Sequence, residues 1–336
     1  MRIDAGIESI LDKALSGGEI SAGEAVELMK IDENSHEMYA LMSAGNTLTR
    51  RRFGDAGEVY AQVGINLRPC RRSCAFCFFG EDWNLIRSPR ELGPDEVVLR
   101  VKAFEEAGAN GIFLMTTADY PFDRFIEIGR AVREVVSPDM PLAANIGDFT
   151  AEQAAQLVDA GFQGAYHVFR LREGRDTRVD PEARLRTFRA IRDSGLALLS
   201  CVEPVGPEHS PEEVVEAMFR GREFGAVNFA AMWRVPVPGT PLAAKGKISE
   251  VSLAKAVAVT RLVLGDTIRS MGVHEPRTLA LRAGANSIAA EAGSNPRDTA
   301  EDTAEGIGYS VEACRKLLRE AGYTPLQGYT KAFQKG

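Results

Sequence analysis

One phrase recurs along the middle of the chain: a helical segment, a glycine stop, then a short apolar strand that runs into polar residues. It reads Glu105-Glu106-Ala107-Gly108 before Gly111 to Met115, and Val158-Asp159-Ala160-Gly161 before Ala165 to Phe169. It returns as Arg192-Asp193-Ser194-Gly195 before Leu196 to Leu199, and as Arg222-Glu223-Phe224-Gly225 before Ala226 to Ala230. A fifth copy is Leu281-Arg282-Ala283-Gly284 before Asn286 to Ala289. Each glycine fits the position just past a helix, where a left-handed backbone is often required. Val59 to Leu67, Leu142 to Ile146 and Thr267 to Val273 are further strand candidates, making eight. Nearly continuous apolar strands alternating with helices predict a parallel sheet covered by helices. Eight such units predict an α/β fold of the (β/α)8 TIM-barrel type, and an open or partial barrel is the other arrangement the pattern allows.

The 336 residues accommodate one barrel with extensions. The reading is a helical N-terminal extension over 1–57, with Ser21-Ala22-Gly23-Glu24 as a capping box, a barrel over 58–292, and a C-terminal helical extension over 293–336. In parallel barrels, function gathers where strands end. The polar residues predicted there are Thr116, Thr117 and Asp119; Asn145 and Asp148; His167 and Arg170; Cys201 and Glu203; Arg234; His274 and Glu275; and Glu291. Cys201 and Glu203 share a strand face, as do Met232 and Arg234, and burying charges against helices would be costly, so both pairs are expected to face the lumen or mouth.

The loop after the first strand, at 68–80, holds Cys70-Arg71-Arg72-Ser73-Cys74-Ala75-Phe76-Cys77, three of the five cysteines in the chain. Three thiolates so close can hold three irons of a cubane cluster and leave the fourth iron open. A structural zinc site normally closes with four ligands, and His36 and His167 lie far away in sequence. A disulfide framework suits five sparse cysteines poorly, and redox exchange through Cys74 and Cys77 would leave Cys70 unexplained. Cys314 reads as a core thiol on a helix.

Net charge of −7 with a pI near 5.4 argues against a broad nucleic-acid surface. Arg68, Arg71 and Arg72 form a local basic group beside the cluster loop, where positive charge would help bind an anionic cofactor or electron donor. No secretory signal and no membrane span is legible, so a cytoplasmic protein without membrane partners is expected. The oligomeric state is not encoded in any pattern.

Cys70-x3-Cys74-x-Phe76-Cys77 resembles the signature of radical S-adenosylmethionine (SAM) enzymes. The resemblance implies a [4Fe–4S] cluster on Cys70, Cys74 and Cys77, with SAM chelating the open iron, and an electron from a donor such as ferredoxin or flavodoxin. It implies reductive cleavage of SAM to a 5′-deoxyadenosyl radical that abstracts hydrogen from a small-molecule substrate, in an oxygen-sensitive enzyme. The helical N-terminus, cluster loop and full barrel are similar to the biotin-synthase-like branch, and Pro181-Glu182-Ala183-Arg184-Leu185 resembles the segment whose arginine pairs with the SAM carboxylate. Phe76, Thr117, Asp119, Arg170, Arg184, Glu203 and Met232 are thereby expected around SAM. Asn145, His167, Arg234, His274, Glu275 and Glu291 are expected around the substrate. Leu199 stands where biotin synthase has an auxiliary-cluster cysteine, which argues against that activity.

Within the branch, Phe169 to Gly174, Cys201 to His209, Pro238 to Leu242, His274-Glu275-Pro276 and Asn295-Pro296-Arg297-Asp298 look most like the radical enzyme of [Fe]-hydrogenase guanylylpyridinol-cofactor assembly. The first cysteine gap departs from that group's, at three residues rather than five. Methylornithine synthase and the [FeFe]-hydrogenase maturase are alternative likenesses, and an iron–sulfur carrier without radical chemistry is the reading of another class.

Overall fold

A computed structural model describes residues 3–334. Eight parallel strands close on themselves: β1 (Ala56–Gly64), β2 (Gly111–Met115), β3 (Leu142–Asn145), β4 (Gly164–Tyr166), β5 (Ala197–Val205), β6 (Asn228–Trp233), β7 (Ser270–Val273) and β8 (Ser287–Gly293). Each pairs with the next, and β8 pairs with β1 from Glu58↔Ser287 to Gly64↔Gly293. The expected closed (β/α)8 barrel is therefore correct, while the open barrel is not. At this seam Gly293 has φ +78°, and a Cβ there would lie 2.2 Å from the Gly64 carbonyl oxygen. Glycine alone lets the two strands end so close together.

Three helices, α1 (Ala5–Leu15), α2 (Ala22–Met29) and α3 (His36–Phe53), precede the barrel. The capping box at α2 forms as expected, between Ser21 and Glu24. The barrel's outer ring is α4 (Pro94–Glu106), α5 (Phe122–Val135), α6 (Ala151–Asp159), α7 (Pro181–Ser194), α8 (Pro211–Glu223), α9 (Glu250–Leu264) and short α10 (Thr278–Arg282). α11 (Val311–Glu320) follows β8 and buries Val311, Cys314 and Leu318, the core thiol that sequence predicts.

The lumen is a packed core, as expected for eight strands. Tyr60, Phe113, Tyr166, Leu199, Cys201 and Met232 meet there. Beyond α11 the chain departs from the expected helical extension. Thr324–Pro325 adds a parallel pairing at Ala56–Gly57, and the tail then closes the floor of the barrel. Phe333 stacks on Tyr60 with centroids 5.7 Å apart, and Thr330 donates to buried Glu58. Among the described residues, no helix is long and apolar enough to cross a membrane.

Candidate active site at the barrel mouth

The C-terminal ends of the strands surround a cleft of about 1040 Å³, counted to its open rim. Cys70, Cys74 and Cys77 all line it. Their loop is fixed from several sides: Phe78 N–H donates to Pro296 O at 2.8 Å, Ala75 N–H to Asp176 O at 2.8 Å, and Leu242 N–H to Ala75 O at 3.0 Å. Cys77 N–H closes a turn onto Cys74 O, and Ser73 takes a positive φ of 38° to make the bend.

The donor set fits an iron–sulfur cubane. Burial raises all three thiols, Cys70 to about 11, so each is costly to ionise without a positive partner. Opposing that, Phe79 N–H donates to Cys77 Sγ at 3.4 Å, and the guanidinium groups of Arg170 and Arg184 favour the Cys74 thiolate. Among the described residues, no three His, Cys, Asp or Glu side chains converge as ligands of a single metal ion would. A cubane takes each of its three thiolates on a separate iron, so it does not need them to converge on one point.

Next to Cys74, a buried charge network positions α7. Arg184 Nε lies 3.2 Å from Glu173 Oε2, and its Nη1 lies 3.1 Å from Asp148 Oδ1 and 3.3 Å from His167 Nε2. Its remaining nitrogen, Nη2, makes no bond among the described residues, and Arg184 borders the cleft. Burial pushes Asp148 up, yet the His167 hydrogen bond and the Arg184 charge outweigh it and hold the carboxyl at about 2. Burial and then Arg184 lower His167 to about 4, so its ring is neutral. His167 stands behind Arg184 and outside the cleft, contrary to the substrate role expected for it.

Across the cleft, Glu203 accepts from Tyr166 Oη at 2.8 Å and lies 3.4 Å from Arg170 Nε. The strand-face argument for Glu203 and Met232 is correct, since both line the cleft. Phe76, Thr117, Asn145, Arg170, Arg234 and His274 line it too. Arg234, however, spends its guanidinium on Glu208 and on Gly246 O, with Nη2 at 3.0 and 2.9 Å. It ties the end of β6 to neighbouring loops.

The turn after β2 also differs from expectation. Asp119 lies outside the cleft and accepts from Arg71 N–H at 3.0 Å, so it braces the cysteine loop. Thr117 is bonded twice to Asn66, at 2.9 Å each. Thr116 Oγ1 is instead buried without a partner at the cleft wall. Glu275 and Glu291 lie outside this cleft, joined to its wall through Arg297.

Gln62, Tyr166 and Arg297 are cleft residues that the sequence reading did not single out. Gln62 accepts from Asn145 at 3.2 Å and donates to Glu291 at 3.1 Å. Strand alternation could have found it, because Tyr60 and Gln62 share the lumen face.

A (β/α)8 barrel with three cysteine thiols lining its mouth is the arrangement to set beside known proteins. The Radical SAM superfamily profile matches residues 67–221. That match and the relatives below indicate a radical SAM enzyme similar to biotin synthases, and members of the superfamily use a [4Fe–4S] cluster and SAM. It is 27% identical to biotin synthase of Kocuria rhizophila, over 94% of this chain and 68% of that one. It is 25% identical to biotin synthase of Carboxydothermus hydrogenoformans, over 84% and 90%. In fold it is similar to methylornithine synthase, with TM-score 0.79, 19% identity, and coverage of 95% of this chain and 97% of that one. It is equally similar to the [FeFe]-hydrogenase maturase HydG from Carboxydothermus hydrogenoformans, with TM-score 0.80, 18% identity, and coverage of 98% and 81%.

Proposed function

We propose that Cys70, Cys74 and Cys77 ligate the cluster and that the cleft beside them holds SAM over a small polar substrate. With these groups bound, one electron from a donor such as ferredoxin or flavodoxin would allow reductive cleavage of SAM to a 5′-deoxyadenosyl radical able to take a hydrogen from the substrate. The free edge of Arg184, locked between Asp148 and Glu173, is the observation that carries the reading. A guanidinium so held presents a fixed donor to the methionyl carboxylate without losing freedom on binding. Thr116 Oγ1, unpartnered at the wall, accepts an N–H of the methionyl amine. Phe76 and Met232 supply apolar surface for the nucleoside. Arg170 and Glu203, tied to each other and to Tyr166, keep the lower cleft polar without leaving a free charge.

The reaction is assigned to assembly of the guanylylpyridinol cofactor of [Fe]-hydrogenase, on the phrases from Phe169 to Asp298 that resemble that group. Biotin synthase activity is disfavoured: Leu199 is buried in the lumen, while Cys201 lies in the lumen and Cys314 on α11, so these residues make no second cysteine cluster. A bare iron–sulfur carrier has no use for Arg184 and Thr116 poised beside the cysteines. The test is anaerobic reconstitution with iron and sulfide, reduction with dithionite, and chromatographic measurement of 5′-deoxyadenosine from SAM. Formation that disappears in the triple cysteine variant supports the reading, and a cluster-loaded protein that neither binds nor cleaves SAM sinks it.

A further inference from the structure

A second chamber opens beside the cleft at the ends of β6, β7 and β8. It spans about 1030 Å³ to its rim and shares Trp233, Val235, His274 and Arg297 with the cleft. Gly306 to Tyr309 forms part of its wall. On the inner side stands Glu275, 7% exposed, with Oε1 taken by Arg297 and Oε2 buried without any hydrogen-bond partner. An orphaned buried oxygen is destabilising unless a donor arrives. Burial also lifts this carboxyl to about 7, against the pull of Arg297.

Arg297 is the partition between the two spaces. It donates to Glu291 at 2.6 Å, to Glu275, and to His274 Nδ1 at 3.2 Å. A guanidinium has no acceptor, so His274 Nδ1 accepts and the ring proton sits on Nε2. With both carboxylates ionised, Glu275, Glu291 and Arg297 carry one net negative charge, which favours a cationic or N–H-bearing group at Oε2. The opposite sign waits at the rim. Lys247 is exposed, its Nζ 4.3 Å from the Trp233 ring centroid, and it forms no salt bridge among the described residues.

We propose that this side chamber is the substrate's recognition pocket and takes a small acid with an amino or N–H donor at one end, bound by Glu275 Oε2, and a carboxylate at the other, bound by Lys247. The assignment rests on the reading that the adjoining cleft performs the radical chemistry, because the shared wall at His274 and Trp233 is where a ligand would reach from one space into the other. A purely anionic ligand would leave the Glu275 oxygen unpaired, and a purely cationic one would meet Lys247.

The test is calorimetric binding to the anaerobic, cluster-loaded protein in the presence of SAM, with 6-aminohexanoate, hexanoate and hexylamine as probes. The two-ended acid is expected to bind at least about tenfold more tightly than either one-ended probe, as a charge-assisted contact at each end implies. Glu275→Gln and Lys247→Ala should each remove most of that preference. Lys247 is exposed, so its variant keeps the test decisive if Glu275→Gln fails to fold. Equal binding of the three probes, no binding by any, or a preference that survives in the folded variants overturns the proposal. Failure of the radical reading would register separately, as absent SAM cleavage in the unaltered protein.

Discussion

The two ends of the barrel each bury carboxyl groups, yet they treat them in opposite ways. At the floor, Glu58 accepts from Tyr60 Oη at 2.6 Å and from Thr330 Oγ1 at 2.8 Å, and Phe333 stacks over the same tyrosine. Both oxygens are satisfied and the lumen is shut. At the mouth, Arg184 retains a free nitrogen, Thr116 an unbonded hydroxyl and Glu275 an unbonded oxygen. The floor keeps unbonded atoms of its own, Asn228 Nδ2, Ser270 Oγ and Ser287 Oγ, but they are neutral; what sets the mouth apart is that charged groups are left unfinished there, where a ligand of opposite charge can complete them.

That contrast can be broken most sharply with changes at two mouth residues and one floor residue. Cys74→Ser should lower SAM cleavage by at least about a thousandfold, since one iron loses its thiolate, and leave the melting curve of the metal-free protein within a degree or so. Retained cleavage would remove the cluster assignment. Arg184→Met should do double damage: SAM affinity is lost, and Asp148 and Glu173 are stranded, at a cost of about 3–5 kcal/mol in stability. Arg184→Lys keeps the charge but loses the fork, so a weakening of SAM binding by about tenfold with a smaller stability loss is expected. Phe333→Ala should behave as the mirror image. It should cost about 3 kcal/mol by denaturant unfolding, as for a buried ring removed from a core, while cleavage per folded molecule is unchanged. A floor variant that altered the SAM affinity would show that the two ends are coupled.

The same contrast explains what was legible in the sequence. The helix, glycine and strand repeat foretells the closed barrel because each unit obeys local rules, and the cysteine spacing foretells the cluster loop because its ligands are neighbours in sequence. The floor was not legible: Thr324, Pro325, Thr330 and Phe333 follow no periodicity and act through pairing with residues more than 200 positions away. Position in a turn also failed to decide direction. Thr116, Thr117 and Asp119 are adjacent, yet only Thr116 keeps an unbonded hydroxyl in the cleft, because Asn66 and the Arg71 backbone claim the others. His167 was expected in the cleft but acts from behind Arg184: Tyr166 and Val168 on either side of it face the lumen, so its ring points out against Phe188 of α7 while its N–H still donates to Leu199 O at 2.9 Å.

The smallest effect is the pH dependence contributed by Glu275. Burial raises its carboxyl to about 7, above the ordinary 4.5, so the folded protein favours the protonated form. The stability this group contributes is therefore complete below about pH 4.5 and is lost as pH rises through about 7. Glu275→Gln removes the titration, so the melting temperature of the unaltered protein relative to the variant should fall by roughly 2–4 °C between about pH 5 and pH 8. Parallel curves would mean that Arg297 holds the carboxylate ionised throughout. Glu58, also raised by burial, remains in both proteins and cancels from the difference. A bound 6-aminohexanoate should flatten the curve of the unaltered protein, because its ammonium pairs with the ionised carboxylate and offsets the burial that floor residues relieve with hydroxyls.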